Sequence, residues 1–135
     1  MAAKKIEPAI LLTIPIHLYP FDILVSFGHT DEQLNKIIKR VGVTDNYDFA
    51  NYQSPLAIGK YAFWPNASVG LIRLQHIPRK TNEYAALMHE ILHVVISCLR
   101  CIGMGIADNC ESDEAYTYLM SYLVKEIFNA INKYY

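Results

Sequence analysis

The sequence lacks any marked excess of charge of one sign. Its 12 Lys and Arg residues are balanced by 13 Asp and Glu residues, and the net charge at pH 7 is −1. The basic residues are scattered, so no basic stripe is available to hold a phosphate backbone. We therefore expect no nucleic-acid partner.

An uninterrupted apolar run near the N-terminus is also missing. The stretch MAAKKIEPAILLTIPIHLYPFDILVSF places lysines before an apolar segment. Five residues interrupt that segment: Glu7, Pro8, Pro15, Pro20 and Asp22. Because no small-residue cleavage site follows, the stretch is typical of neither a signal peptide nor a membrane-spanning helix. We expect no membrane association and a cytoplasmic location.

Cysteine is scarce, with three in 135 residues. Cys98 and Cys101 form a CxxC, but it lies within an apolar helical run, whereas a thioredoxin-like redox motif follows a strand. A structural zinc site would need a second pair, and only Cys110 remains. We interpret all three as buried thiols that act as small apolar residues. A redox use of Cys98 and Cys101 is a minor alternative.

The balance of hydrophobic and charged residues is typical of one packed domain. Hydrophobic residues make up 53% of the chain and charged residues 19%, which argues against disorder. A chain of 135 residues can build one core. We therefore treat residues 1–135 as a single domain.

The first half of the chain predicts strand, helix and loop in that order. IHLYPFDILVSFG is rich in β-branched and aromatic residues and predicts one strand, or two short strands broken at Pro20. HTDEQLNKIIKRVG predicts a helix that Thr30 caps and Gly42 ends. Residues 43–58 are rich in turn formers and predict a loop.

The second half predicts two strands and two long helices. GKYAFW and SVGLIRLQHI are expected to form a hairpin joined across PNAS. One helix runs from Thr81 to about Met104, and a second follows Asp108, Asn109 or Ser112 as possible caps. The whole order predicts an α+β fold with a small antiparallel or mixed sheet packed against helices.

The first long helix holds three polar residues within the apolar stretch EYAALMHEILHVVISCL. His89 and His93 are four positions apart, so their side chains lie on one helical face and can direct a ring nitrogen each at one metal ion. Glu90 follows His89 by one position, which is a rotation of about 100° around the helix axis, so its side chain flanks the predicted metal ion. HEILH thus matches HExxH, in which the glutamate takes a proton from a water on the metal.

A purely structural role explains these residues poorly. Each buried imidazole needs hydrogen-bond partners, and a buried Glu90 costs several kcal/mol unless it is paired or neutralised. LMHEILHVVIS offers no compensating polar group nearby in sequence. Metal ligation by His89 and His93 removes this difficulty.

A catalytic zinc usually needs a third protein ligand. The next helix opens with carboxylates at Glu111, Asp113 and Glu114. If that helix returns antiparallel, its first turn faces the end of the previous helix, so a carboxylate further along is favoured. We predict Glu114 as the third ligand, with Glu111 as the fallback; Asp113, or no third ligand, is less favoured.

HEILH followed by Glu114, 21 positions after His93 (114 − 93 = 21), resembles the gluzincin branch of zinc metallopeptidases. ESDEAYTYLMSYL is similar to the glutamate helix of its small members, such as the metallopeptidase-like domains paired with phage repressors. The match covers about residues 69–127, the metal-binding core. The whole chain is also similar to small proteins encoded by tailed phages, which implies a location in the host cytoplasm or in the virion.

The resemblance implies a zincin-like fold and Zn²⁺ held by His89, His93 and Glu114. Glu90 would be the general base in the hydrolysis of a peptide or protein substrate. In zincins the substrate lies along an edge strand beside the active-site helix, and SVGLIRLQHIP is the candidate for that strand.

An oxyanion stabiliser is also implied. Tyr118 is the candidate, with Tyr116, Tyr84 and His76 as alternatives. A second hypothesis is a non-catalytic zincin-like phage protein, in which zinc only joins two helices and the protein acts in particle assembly or binds a host protein.

Overall fold

A computed structural model describes residues 8–49, 58–105 and 113–135 of the chain. Over these ranges the chain forms a four-stranded mixed sheet and three α-helices. In chain order the elements are β1 (Ile10–Ile16), β2 (Phe21–Phe27), α1 (Asp31–Arg40), β3 (Gly59–Trp64), β4 (Val69–Leu74), α2 (Thr81–Cys101) and α3 (Asp113–Asn132). The strand order is β1-β2-β4-β3; β2 and β4 are parallel, and the other two pairs are antiparallel. The predicted α+β class with a small mixed sheet is confirmed.

Of the two alternatives for the first predicted segment, two strands separated near Pro20 are found, and the first of them begins earlier than predicted. Residues 17–20 form the turn of an antiparallel hairpin between β1 and β2. β1 starts at Ile10, upstream of the predicted segment. Pro15 is tolerated because β1 is an edge strand, where a missing N–H need not face a partner. The Tyr122 hydroxyl of α3 donates a 2.5 Å hydrogen bond to the Pro15 carbonyl oxygen.

Helix α1 matches its predicted signals. The Thr30 hydroxyl accepts a hydrogen bond from the Gln33 backbone N–H, and the Gln33 side chain accepts one from the Thr30 N–H. This reciprocal capping box satisfies two N–H groups that the helix itself leaves unpaired. Gly42 follows the helix end with a φ of 103°. The buried Leu34 and Ile38 pack this helix against one face of the sheet.

Strands β3 and β4 form the predicted hairpin through a short 3-10 turn, Pro65–Ala67. The prediction that SVGLIRLQHIP is the edge strand is wrong. β4 is hydrogen-bonded to β2 on one side and to β3 on the other, and most of its side chains are buried. The parallel pairing with β2 places β4 inside the sheet, which leaves β3 at the edge.

Helices α2 and α3 pack antiparallel on the sheet face opposite α1. Tyr84, near the start of α2, makes an edge-to-face contact with Phe128, near the end of α3. At the other end, the Tyr116 hydroxyl donates a 2.6 Å hydrogen bond to the Met104 carbonyl oxygen. Helix α2 ends at Cys101, slightly before the predicted end. The predicted caps of α3 lie outside the described residues: Asp108, Asn109 and Ser112.

Helix α2 is long and apolar enough to cross a membrane by length and composition alone, with a mean hydropathy of 1.3 over its most apolar 18-residue window. A helix in the core of a folded domain has the same properties. The buried Leu87, Ile91 and Val95 of α2 belong to the core formed with the sheet and α3. In this arrangement the apolar character of α2 serves packing.

Candidate metal centre

Helix α2 presents different surfaces to its different neighbours. Val94 faces the sheet, where its side chain lies next to Gly70 of β4. Tyr84 faces α3. His89 is exposed and His93 is half-buried, on the flank of the helix beside β3. The apolar surfaces therefore fix the helix, and the histidines stay accessible.

The two imidazoles converge. The Nε2 atoms of His89 and His93 are 3.1 Å apart, and the ring planes are inclined by 69°. A tetrahedral zinc 2.0–2.1 Å from both nitrogens would separate them by about 3.3 Å. Without a metal, the same contact is a hydrogen bond in which one neutral ring donates to the other. The geometry fits two ligands of one metal ion.

An aromatic side chain of β3 holds the His93 ring. Tyr61 lies parallel to it, with ring centroids 4.4 Å apart and planes inclined by 5°. Burial of the ring and the neighbouring His89 both lower the pKa of His93. Its neutral form, which is the form that binds metal, is therefore favoured at pH 7.

Glu90 points to the start of β3 and is 7% exposed. A Cβ atom built on Gly59 would lie 3.0 Å from Cγ of Glu90 and 3.6 Å from its Oε1, so the side chain rests directly against the glycine. Burial raises the pKa of the Glu90 carboxyl, and the neighbouring His89 partly opposes that rise. A carboxylate with a raised pKa is a stronger base, which suits proton transfer from water.

Replacing Gly59 with alanine should destabilise the protein by about 1–3 kcal/mol, because the new methyl group would lie too close to Cγ of Glu90 and the packing would have to shift. Urea unfolding measures this change. Gly105→Ala is the matched control, since nothing lies within 4 Å of a Cβ there. Equal unfolding free energies for the two variants would contradict the described contact between Gly59 and Glu90.

Helix α3 packs on the flank of α2 that faces away from the histidines. Tyr84 contacts α3, and His93 follows Tyr84 by nine positions (93 − 84 = 9). At 3.6 residues per turn this separation is about 900°, or two and a half turns, so the two side chains point to opposite sides. The helix that was predicted to supply the third ligand therefore lies behind the pair.

Glu114 does not join the two imidazoles. It is exposed in the first turn of α3. That turn lies near the C-terminal end of α2, because Tyr116 bonds to Met104. The last residue of α2 is eight positions after His93 (101 − 93 = 8), which is about 12 Å along the helix axis.

A third ligand is not identified in the described part of the chain. Across residues 8–49, 58–105 and 113–135, no group of three or more His, Cys, Asp or Glu side chains could hold a metal ion. The fallback ligand Glu111 lies outside the described residues. The prediction of a third carboxylate ligand stays a prediction.

The predicted oxyanion stabilisers make other contacts. Tyr118 is 71% exposed on α3 and lines a cavity of about 320 Å³ beside the β1–β2 turn. The other three are engaged elsewhere: Tyr116 with Met104, Tyr84 with Phe128, and His76 with Glu83. Tyr61 is the tyrosine whose ring contacts the histidine pair.

Gly59 and Tyr61 are site residues that the sequence motif did not reveal. Strand alternation in GKYAFW places them on one face, which is the only signal the sequence carries for them. That pattern does not indicate which helix the face meets. The packing of β3 along the histidine flank of α2 supplies the missing information.

The cysteines differ from one another. Cys98 is buried as predicted, whereas Cys101 is exposed, so the prediction of a buried thiol is wrong for Cys101. The two cysteines are about one helical turn apart, and only Cys98 lies in the buried part of α2. Cys110 lies outside the described residues.

Iodoacetamide at pH 8 should modify Cys101 and leave Cys98 unmodified in the folded protein. Burial, and next the neighbouring Cys101, raise the pKa of the Cys98 thiol to about 12, so roughly one thiol in 10⁴ is the reactive thiolate at that pH. Peptide mapping by mass spectrometry separates the sites, and denatured protein is the control in which both react. Equal labelling of the two would contradict the burial of Cys98, and a disulfide between them would support the redox alternative instead.

The sequence likeness to gluzincins depends on HEILH and on the glutamate that follows on the next helix. HEILH lies in a long helix against the sheet, and Glu114 lies apart from it. No family model, no curated protein and no solved structure matches the chain.

Proposed function

We propose that this protein is a zinc-dependent hydrolase of peptide bonds, with His89 and His93 as zinc ligands and Glu90 as general base. The observation that supports it most is the 3.1 Å separation of the two Nε2 atoms, close to the ~3.3 Å expected on one tetrahedral zinc. The gluzincin-like assignment, with a peptide or protein as substrate, is part of this proposal.

The surroundings of each residue support its role. Zinc bound at the pair would polarise the scissile carbonyl and lower the pKa of a water from about 15.7 toward ~7. Glu90 takes the proton of the attacking water and later passes it to the departing amine. Tyr61 keeps the His93 ring oriented toward His89. Strand β3, at the edge of the sheet, offers backbone groups to an extended peptide.

A non-catalytic phage protein with structural zinc is the alternative. Structural zinc sites are closed by four protein ligands, whereas catalytic sites keep an open position. Here the two imidazoles lie on an accessible flank, and the described residues add no further ligand to them. The buried carboxylate of Glu90 beside an accessible pair of imidazoles is what favours the hydrolase.

Protein prepared without chelator should contain zinc, and Glu114→Ala should retain it, because α3 packs behind the histidine flank of α2. Elemental analysis of the wild type, Glu114→Ala and Glu111→Ala measures this. Loss of zinc in Glu114→Ala would show that α3 moves toward the pair when metal binds. A wild type without zinc would contradict the proposed function.

A further inference from the structure

A polar cavity lies on the α1 side of the sheet, away from the histidine pair. Its volume is about 180 Å³, and its lining includes His29, Lys60, Arg73 and Gln75. Lys60 follows Gly59, which faces α2, and therefore points to the α1 side of β3. The sheet separates this cavity from the candidate metal centre.

The cavity carries positive charge. Lys60 of β3 is directly opposite Arg73 of β4, and like charges at such positions repel one another. Asp31 offsets Arg73, whose Nη1 lies 2.5 Å from the Asp31 carboxylate. Among the described residues no carboxylate forms an ion pair with Lys60. Within residues 8–49, 58–105 and 113–135, Lys60 thus lines the cavity without a carboxylate partner.

The His29 ring is arranged as a neutral donor. The hydroxyl of Ser26, which is fully buried, lies 2.7 Å from Nδ1 of His29. A hydroxyl can donate to Nδ1, and in the tautomer that this bond favours the neutral ring carries its proton on Nε2. Burial, and next the nearby Arg73, lower the pKa of His29. In that tautomer, Nε2–H is the donor that the His29 ring can offer a ligand in the cavity.

We propose that this cavity binds a compact oxyanion, a carboxylate or a phosphate group. Lys60 and Arg73 supply the charge, and His29 and Gln75 line the same cavity as neutral polar residues. The 180 Å³ of space is several times the ~30 Å³ that one water molecule occupies in the liquid. A bound anion would also give Lys60 a partner of opposite charge, as Asp31 does for Arg73.

The test is a titration of the folded full-length protein with sodium phosphate and, separately, with sodium acetate, at ionic strength held constant with sodium chloride. The ¹H–¹⁵N signals of the His29 ring report binding. We expect a saturable shift with at least one anion and about tenfold weaker affinity in Lys60→Gln, since a charge-assisted hydrogen bond is lost. Lys39→Gln, which removes an exposed charge from α1, is the control and should bind as the wild type does.

The two anions distinguish the sources of the oxyanion. Saturation by phosphate alone assigns the cavity to phosphate groups, and saturation by acetate assigns it to carboxylates. The proposal is overturned if neither anion gives a saturable shift, or if Lys60→Gln binds as tightly as the wild type. Zinc binding at His89 and His93 has no bearing on either outcome.

Discussion

Alanine at either His89 or His93 should lower the affinity for zinc by about 100-fold or more. Loss of a hydrogen-bond partner behind a metal ligand already costs 10–100-fold, and either substitution removes an imidazole outright. The effect is large because the described residues offer no third ligand to compensate. Competition with a chromogenic chelator measures the affinity.

His17→Ala is the matched control. His17 is exposed in the turn between β1 and β2, where its ring meets the edge of Tyr122 with centroids 6.2 Å apart. The variant His17→Ala should therefore leave the affinity for zinc unchanged. If both His89→Ala and His93→Ala kept wild-type affinity, zinc would have to bind elsewhere in the chain.

Glu90→Gln should lower peptide hydrolysis by about 10²–10⁴-fold while zinc remains bound. The amide keeps the shape of the side chain against Gly59 but cannot accept a proton, so the loss equals the contribution of a general base. Because burial raises the pKa of the Glu90 carboxyl, the neutral amide is also well tolerated in this position. Release of fluorescent peptides from labelled casein measures the rate, with elemental analysis for zinc in parallel.

Glu32→Gln provides the comparison, since Glu32 is an exposed residue of α1 that pairs with Lys36. It should hydrolyse casein at the wild-type rate. Unchanged hydrolysis in Glu90→Gln would remove Glu90 from the mechanism. If the wild type binds zinc and hydrolyses nothing, the non-catalytic alternative is favoured.

Local signals predicted the elements whose determinants lie within a few residues. Thr30 and Gln33 cap α1 through contacts three positions apart, and the turn PNAS closes the β3–β4 hairpin. HEILH lies on a helix because its apolar neighbours pack on the sheet and on α3. These features depend on propensity and periodicity, which the sequence carries directly.

The order of the strands was not predictable in the same way. The pattern of β4 is that of a buried strand, but nothing in it indicates pairing with β2, which lies more than 40 positions earlier. The start of β1 at Ile10 was not predicted either, because the predicted strand segment began at Ile16. The error on β4 concerns a neighbour that is distant in sequence, whereas β1 pairs with β2 through the turn at residues 17–20.

Of the candidate site, only the part that lies on helix α2 was predicted from the sequence. The spacing of His89 and His93 fixes their common face, and the structure brings their Nε2 atoms together. Which flank of α2 receives α3 depends on packing between whole helices, so the position of Glu114 relative to the pair could not be derived from spacing. The contribution of Tyr61 depends on β3 being the edge strand, which sequence reasoning assigned to β4.

The central claim is that His89 and His93 share one zinc ion. Long-range ¹H–¹⁵N spectra of the five histidines, recorded before and after one equivalent of zinc, test it most directly. We predict that the Nε2 signals of His89 and His93 move to metal-bound values while the other three rings are unchanged. Unchanged signals at both residues, or changes at His17, His29 or His76 instead, would contradict the account.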